Sequence, residues 1–336
     1  MPIKLFLAPV TMEGRGILID NSNSRLQSDF KSFQFTDQVE KCDFVVMPKS
    51  IAKVSRAQKS LQEARTFADK NNKKLIVFYY GDHSYKEHVP GVISFKWSAH
   101  GHDKLPEEVI TPVFCQDLAK ERALTWRHKS ERPSVAFCGF ADLPSTKTAI
   151  KYHTENIWLN VLSVVTGNPQ IRAQKRGLYF RRKAMRMLRR DSRIDTRFMV
   201  RSAYFNQIQA PPQTLRDEYL DNMHDADFIL APRGDANIST RFFEALSLGR
   251  IPILIDTDCV LPLEKHIDYS TFILRIPHTE MHTLPDRVYE VFRSLSDEEF
   301  VAMQQRAREA YITYFEVQSF FDFVFPILQD KGPEAL

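Results

Sequence analysis

The sequence predicts an α/β protein built on parallel sheets and divided into two open domains. Three observations lead there. Short apolar runs of strand length alternate with longer segments of helical period along most of the chain. A charged stretch at 117–133 that ends in proline breaks this alternation into two series. The chain has 336 residues, 43 % hydrophobic and 26 % charged, an ordinary globular composition with length enough for two cores. The same figures exclude disorder, collagen and coiled coil.

In the first series the strands fall at 3–8, 44–47, 74–80, 92–95 and 109–114. A helix fits 55–71, with Ala57, Leu61, Ala64, Phe67 and Ala68 on one face. The stretch 117–133 carries Lys120, Glu121, Arg122, Arg127, Lys129, Glu131 and Arg132 and reads as the connection between domains. The second series begins at Pro133, with strands at 134–140, 197–200, 228–231, 251–255 and 272–276. Its helices fit 153–165, 181–190, 214–223, 240–248, 284–295 and 297–315. The last apolar stretch, 317–328, is aromatic, contains Pro326, and is expected to pack back on the first domain. The expected division is therefore an N-terminal domain over 1–125, a C-terminal domain over 133–315 and a closing segment over 316–336. No repeat of fixed period is present.

The apolar runs, such as 75–80, fall far short of the roughly 20 residues that cross a bilayer, so no integral membrane segment is expected. Residues 1–9 read as a strand rather than a leader. Cys42, Cys115, Cys138 and Cys259 are far apart, share no metal-ligand spacing and sit in or beside apolar runs. A reducing, cytoplasmic compartment is the expectation. The net charge of +4 is concentrated: Lys and Arg crowd 172–201, where Asp191 and Asp195 are the only acidic residues. Such a segment is either a solvated helix face or a surface for an anionic partner, peripheral membrane contact included.

Residues 228–256 carry the most information. They read strand, glycine-containing loop, helix, glycine stop, strand. Ser239, or Asn237 two residues earlier, is placed to cap the helix, and Gly249 sits where a helix ends in the left-handed conformation. Arg241 falls in the first helical turn, where the positive end of the helix disfavours a cation, and Arg233 enters the same corner from the preceding strand. A diphosphate between them resolves the conflict, because helix N-termini bind phosphate and arginine grips oxyanions with two donors. Glu244, three residues after Arg241 and about 5 Å further along the axis, suits ribose hydroxyls. Phe242, Ala245 and Leu246 form the opposite, buried face. The plain alternative is an internal ion pair, Arg241 with Glu244 or Arg233 with Asp235.

The segments Pro232-Arg233-Gly234-Asp235, Ser239-x-Arg241, Glu244-Ala245-Leu246, Gly249-x-Ile251-Pro252, Leu261-Pro262-Leu263 and Ile267-Asp268-Tyr269 occur in one order. Together they resemble the exostosin family of glycosyltransferases, family 47. Weaker similarity runs over 134–314, and the first 120 residues share only the α/β pattern. The resemblance implies a GT-B fold, two Rossmann-like domains facing a central cleft. It implies an inverting transferase of polysaccharide biosynthesis that moves a sugar from a nucleotide sugar, a UDP-sugar being favoured, to a saccharide or glycosylated acceptor. It implies neither a metal nor any cofactor beyond that co-substrate, and no nucleic acid.

The nucleotide-sugar set implied on this chain is Gly139, Arg181, Arg182, Arg233, Gly234, Asp235, Asn237, Ser239, Thr240, Arg241 and Glu244. One of Arg181 and Arg182 matches a phosphate-facing position, and the alignment leaves the choice open. Arg241 and Arg233 would stabilise the departing diphosphate. The general base is expected from the first domain, where Glu13, Asp82 and His83, and beyond them His100 and Asp103, follow strand carboxyl ends. An animal-type anchor and second transferase module are not expected, which favours a compact cytoplasmic enzyme.

Asp225-Ala226-Asp227 and Asp256-Thr257-Asp258 spell an acidic triplet that binds metal in another transferase fold; here they read as strand punctuation and loop solvation. His100-Gly101-His102 lacks a third ligand in pattern, and His278 and His282 are flanked by prolines, so no metal centre is expected. Two further readings remain: a fucosyltransferase-like enzyme using a GDP-sugar, and a protein binding nucleic acid or another anionic surface through 172–201.

Overall fold

A computed structural model describes residues 2–12, 15–16, 30–82, 86–143, 146–202 and 211–336. The chain forms two compact units. The first comprises Met1–Phe114, Cys259–Asp268 and Ile312–Leu336, the second Cys115–Asp258 and Tyr269–Tyr311.

The first unit contains β1 (Ile3–Leu7), β2 (Arg15–Gly16), β3 (Phe33–Phe35), β4 (Phe44–Val46), β5 (Lys49–Ser50), α1 (Val54–Lys70), β6 (Lys74–Phe78), β7 (Ile93–Lys96) and β8 (Glu108–Ile110). Six of the strands make one sheet in the order β3-β1-β4-β6-β7-β8, every pairing parallel. β2 and β5 form a separate two-residue antiparallel ladder. Val45, Val77 and Tyr79 on the sheet and Leu61, Ala64 and Ala68 on α1 share one buried cluster, which is why the apolar face of α1 is legible in the sequence. β3 is missed there because a three-residue edge strand with two exposed positions has no readable period.

The second unit contains β9 (Ser134–Phe140), α2 (Thr146–Val165), α3 (Gly177–Arg189), β10 (Asp195–Arg201), α4 (Pro212–His224), β11 (Phe228–Leu230), α5 (Thr240–Ser247), β12 (Ile251–Asp256), β13 (Leu274–Pro277), α6 (Leu284–Ser294) and α7 (Asp297–Ala310). Its sheet runs β10-β9-β11-β12-β13, again wholly parallel. One face packs Val135, Phe137, Phe228 and Ile253 against Phe180, Leu188, Phe292 and Phe300. The other packs Ala136 and Ile229 against Leu220, Met223, Ala245 and Leu248. In both sheets the strand order reverses beside the first strand, between β1 and β4 and between β9 and β11. At such a reversal two connections part to opposite faces and leave a crevice at the carboxyl ends. The fold is α/β with two Rossmann-like sheets, the pair of units a GT-B chain contains.

The division differs from the expected one. Residues 117–133 are no solvated connection but part of the second unit, their charges paired onto its body. Asp117 accepts from Arg308 at 2.5 and 2.9 Å, Arg127 pairs with buried Asp227 at 2.7 Å, and Arg122 pairs with Asp217 and Asp221. Partners 95 to 191 positions away are invisible to a composition reading. The closing helix α8 (Val317–Lys331) belongs to the first unit. Its Asp322 accepts from the main-chain N–H groups of Lys31 and Ser32, and its Phe325 ring lies 4.8 Å from that of Phe33.

Candidate active site

The carboxyl end of β9, at the reversal of the second sheet, is held by arginines. Arg241, in the first turn of α5, donates from Nη2 to the carbonyl of Cys138 at 2.8 Å. Its guanidinium lies 4.5 Å from the ring centre of Phe137 and 5.9 Å from that of Tyr219 on α4. Arg181 of α3 donates to the carbonyl of Phe140 at 2.9 Å, and Arg182 to that of Ala141 at 3.1 Å. Arg182 is also paired with Asp142 at 3.4 Å. Three guanidiniums from two helices thus fix on carbonyls of residues 138, 140 and 141. Each guanidinium has five N–H donors; the buried Nε of Arg241 has no hydrogen-bond partner among the described residues.

Gly139 stands between these anchor points. Its φ of +148° is outside the range of ordinary side-chain-bearing residues, and a Cβ there would lie 2.8 Å from Nη2 of Arg241.

The loop between β11 and α5 is braced from below. Arg233 is only 5 % exposed and donates to the carbonyls of Ala173 at 3.3 Å and Asp235 at 3.1 Å. The expected phosphate-facing arginine therefore also ties this loop to the helical turn Pro169–Gln174. The start of α3 seats on the same loop: a Cβ on Gly177 would fall 2.2 Å from the carbonyl oxygen of Arg233. A Cβ on Gly234 would lie 3.5 Å from Nη2 of Arg181, so Arg181 rather than Arg182 overlies the loop.

The expected helix cap is corrected. Ser239 occupies the N-cap with extended backbone, yet its side chain makes no capping hydrogen bond. Asn237 is turned across to β12, donating to the carbonyls of Thr257 and Asp258 and accepting from the Thr257 hydroxyl at 2.5 Å. Among the described residues, the opening N–H groups of α5 thus lack a side-chain cap. Asp235 and Thr240 are exposed at the loop's rim.

Glu244 makes no ion pair with Arg241 among the described residues. One carboxylate oxygen accepts from the Tyr219 hydroxyl, and the other is 3.9 Å from Arg216, which is itself paired with Glu121. Burial, with the charge of Glu244 behind it, raises the Tyr219 phenol well above its ordinary range, so it remains a donor. Tyr219 and Gly177 are the residues the sequence reading missed. A glycine opening a basic helix was a usable sign of close backbone approach, whereas nothing local marks Tyr219.

In the first unit Asp82 is exposed in the turn after β6. His100 is 7 % exposed, bridges to Cys259 and has its ring 5.4 Å from that of His102. Asp103 lies 3.8 Å from His88. Glu13 and His83 lie outside the described residues. In the acidic triplets, Asp227 accepts from the N–H and hydroxyl of Ser134, joining β9 to β11, and Asp256 pairs with Arg275 at 2.8 Å.

Fold and site together define a chain of two Rossmann-like units in which arginines gather around Gly139 at the carboxyl end of β9 in the second sheet. The model of the exostosin GT47 domain matches residues 160–291 of this chain, in agreement with the resemblance read from 228–274. Exostosin-1 of Drosophila melanogaster is 29 % identical over 120 residues, covering 35 % of this chain and 15 % of the fly protein. The Exostosin-1 homolog of Caenorhabditis elegans is 28 % identical over 114 residues, 34 % of this chain and 29 % of the worm protein. The chain thus aligns with less than a third of either relative. Among solved structures, TarM shows 9 % identity and a TM-score of 0.40 over 84 % of this chain and 54 % of its own. Anabaena HepE, solved with UDP, shows 10 % identity and a TM-score of 0.39 over 87 % and 80 %.

Proposed function

We propose that the protein is a glycosyltransferase that moves a sugar from a UDP-sugar to a saccharide or glycosylated acceptor, with inversion and without a catalytic metal. The observation that carries this reading is the fixing of Arg241 and Arg181 on carbonyls either side of Gly139, beside the uncapped start of α5. Guanidiniums held in advance suit a diphosphate whose charge grows during the reaction. The acceptor oxygen bonds to the anomeric carbon from the face opposite the diphosphate. As that bond forms, the bond from the anomeric carbon to phosphate oxygen breaks and its electron pair leaves on the diphosphate. The acceptor's proton passes to a base, which we place in the first unit among Asp82, His83, Glu13, His100 and Asp103. The choice of UDP follows the exostosin resemblance.

The test is binding followed by turnover. UDP should raise the melting temperature, and a panel of UDP-sugars should include a donor whose transfer persists in chelator. Stabilisation by an oligonucleotide alone at low salt, with none by UDP or GDP, would overturn the enzyme reading. Transfer abolished by chelator and restored by magnesium would overturn its metal-free part.

A further inference from the structure

The first unit holds a cavity of about 500 Å³ at the carboxyl ends of its strands. Met12 follows β1, Ser50 and Lys53 follow β4, Tyr80 follows β6, and Arg56 and Ser60 lie on α1; all six line the cavity. Ile51 pairs with Tyr79 and so ties the loop after β4 to the end of β6. β1 and β4 flank the reversal of strand order. The cavity thus occupies the place where an open parallel sheet takes a ligand, and its volume is that of a small-molecule site rather than of a bare ion.

Its charge is one-sided. Lys53 stands at the N-cap of α1 and Arg56 in the first turn, which contains no acidic residue. Cations at that end of a helix oppose its dipole, the same conflict that Arg241 presents at α5. A third cation, Arg15, lies over the Tyr80 ring, 5.1 Å from its centre. Lys53, Arg56 and Arg15 have no carboxylate partner among the described residues. Glu87 accepts from the Val54 N–H at 2.8 Å and pairs with none of the three. Among the described residues no acidic side chain lines the cavity. The hydroxyls are held in place: Ser50 donates to the carbonyl of Gly16 at 3.2 Å and Ser60 to that of Thr11 at 3.0 Å. Each of these oxygens still has capacity to accept.

We infer that this cavity binds an acidic saccharide, Lys53 and Arg56 taking its oxyanion group, a carboxylate or a phosphate, and Ser50, Ser60 and Tyr80 its hydroxyls. The role rests on the transferase reading above: the saccharide is the acceptor, narrowed here to a negatively charged one. A neutral sugar would use the hydroxyls and leave two cations unanswered at a helix start that disfavours them. A bare anion would answer the cations and leave most of the volume without purpose.

The test uses the whole protein with galactose, galacturonate, galactose 6-phosphate and inorganic phosphate as probes, followed by saturation-transfer NMR, and with UDP followed by calorimetry. At least one of the two acidic sugars should bind about 10-fold or more tightly than galactose, less so in high salt. The better of the two tells carboxylate from phosphate. Lys53→Gln/Arg56→Gln should erase the preference with UDP affinity unchanged. Both side chains are exposed, and Arg56→Gln alone, expected to lose part of the preference, serves if the double variant misfolds. Equal binding of galactose and both acids overturns the inference, as does a preference retained in the variants. Inorganic phosphate bound as tightly as galactose 6-phosphate overturns it too, and so does tight oligonucleotide binding without binding of either acid. UDP binding without an acid preference removes this inference alone. An acid preference that depends on Lys53 and Arg56, without UDP binding, removes the transferase reading and leaves the acidic-saccharide site.

Discussion

The guanidinium of Arg241 occupies the space in which a side chain at Gly139 would begin, with 2.8 Å between Nη2 and the Cβ that any other residue would carry. The contact couples the end of β9 to the first turn of α5. Two segments far apart in sequence are thus matched: a strand that must end in glycine, and a helix that must open with arginine. Gly139→Ala is expected to push Arg241 off the Cys138 carbonyl and to strain the backbone at φ +148°. Stability should fall by about 1–3 kcal/mol and UDP affinity by about 10-fold or more. Adding Arg241→Ala in the Gly139→Ala background should then cost little further, because the two changes remove one arrangement. Calorimetric titration of UDP on the four proteins of that cycle checks it, and full additivity would contradict the coupling.

Arg241→Lys keeps the charge and loses the planar fork. Transfer should drop about 10²-fold with a nearly unchanged melting temperature. Arg181 and Arg182 should separate in the same assay. Arg181 overlies Gly234, while Arg182 is shared with Asp142. Arg181→Gln is therefore expected to cost far more turnover than Arg182→Gln, and equal losses would show that neither side chain is singled out by its position.

What was legible in the sequence follows from how local each signal is. The alternation of strands and helices was readable because burial on both faces of a parallel strand leaves a continuous apolar run, as in residues 228–230 and 251–255. Arg241 was readable because a cation in a first helical turn conflicts with its immediate surroundings. Gly249 was readable for the same reason and has the expected positive φ of 62°. The cap was misread because Asn237 answers to Thr257, twenty residues on. The interdomain stretch was misread because Asp117 and Arg127 answer to Arg308 and Asp227. Tyr219 had no sign at all, since a tyrosine on an amphipathic helix looks the same whether or not it holds a carboxylate.

Tyr219→Phe removes the donor to one oxygen of Glu244 and changes little else in shape. A partly buried carboxylate left short of a partner costs about 1–3 kcal/mol, and chemical denaturation should register that loss. UDP affinity should fall less than in Glu244→Ala, because the phenol only orients the carboxylate proposed to meet ribose. A Tyr219→Phe protein with weaker UDP binding than Glu244→Ala would instead place the phenol itself on the nucleotide.

Lys175 offers a prediction in pH. It is 2 % exposed, its ammonium donates to Asn160 at 2.7 Å and sits 4.0 Å from the ring centre of Tyr179, and no carboxylate partner accompanies it among the described residues. Burial, reinforced by Lys183 and Arg172, lowers its pKa to about 8. In the unfolded chain the group titrates near its ordinary value of 10.5. Between those two values the unfolded state holds the proton and the folded state does not, so stability rises with pH across that window. Below about pH 8 both states are charged and the folded protein bears the full cost of a buried ammonium, on the order of 3 kcal/mol for a shift of this size. Lys175→Met keeps the apolar stem and removes the titration. Its stability relative to wild type should therefore be greatest near neutral pH, apart from a constant loss of the Asn160 hydrogen bond, and should decline as pH climbs from 8 toward 10. Urea denaturation of both proteins across that range measures the difference, and parallel curves would mean that the ammonium stays charged in its niche.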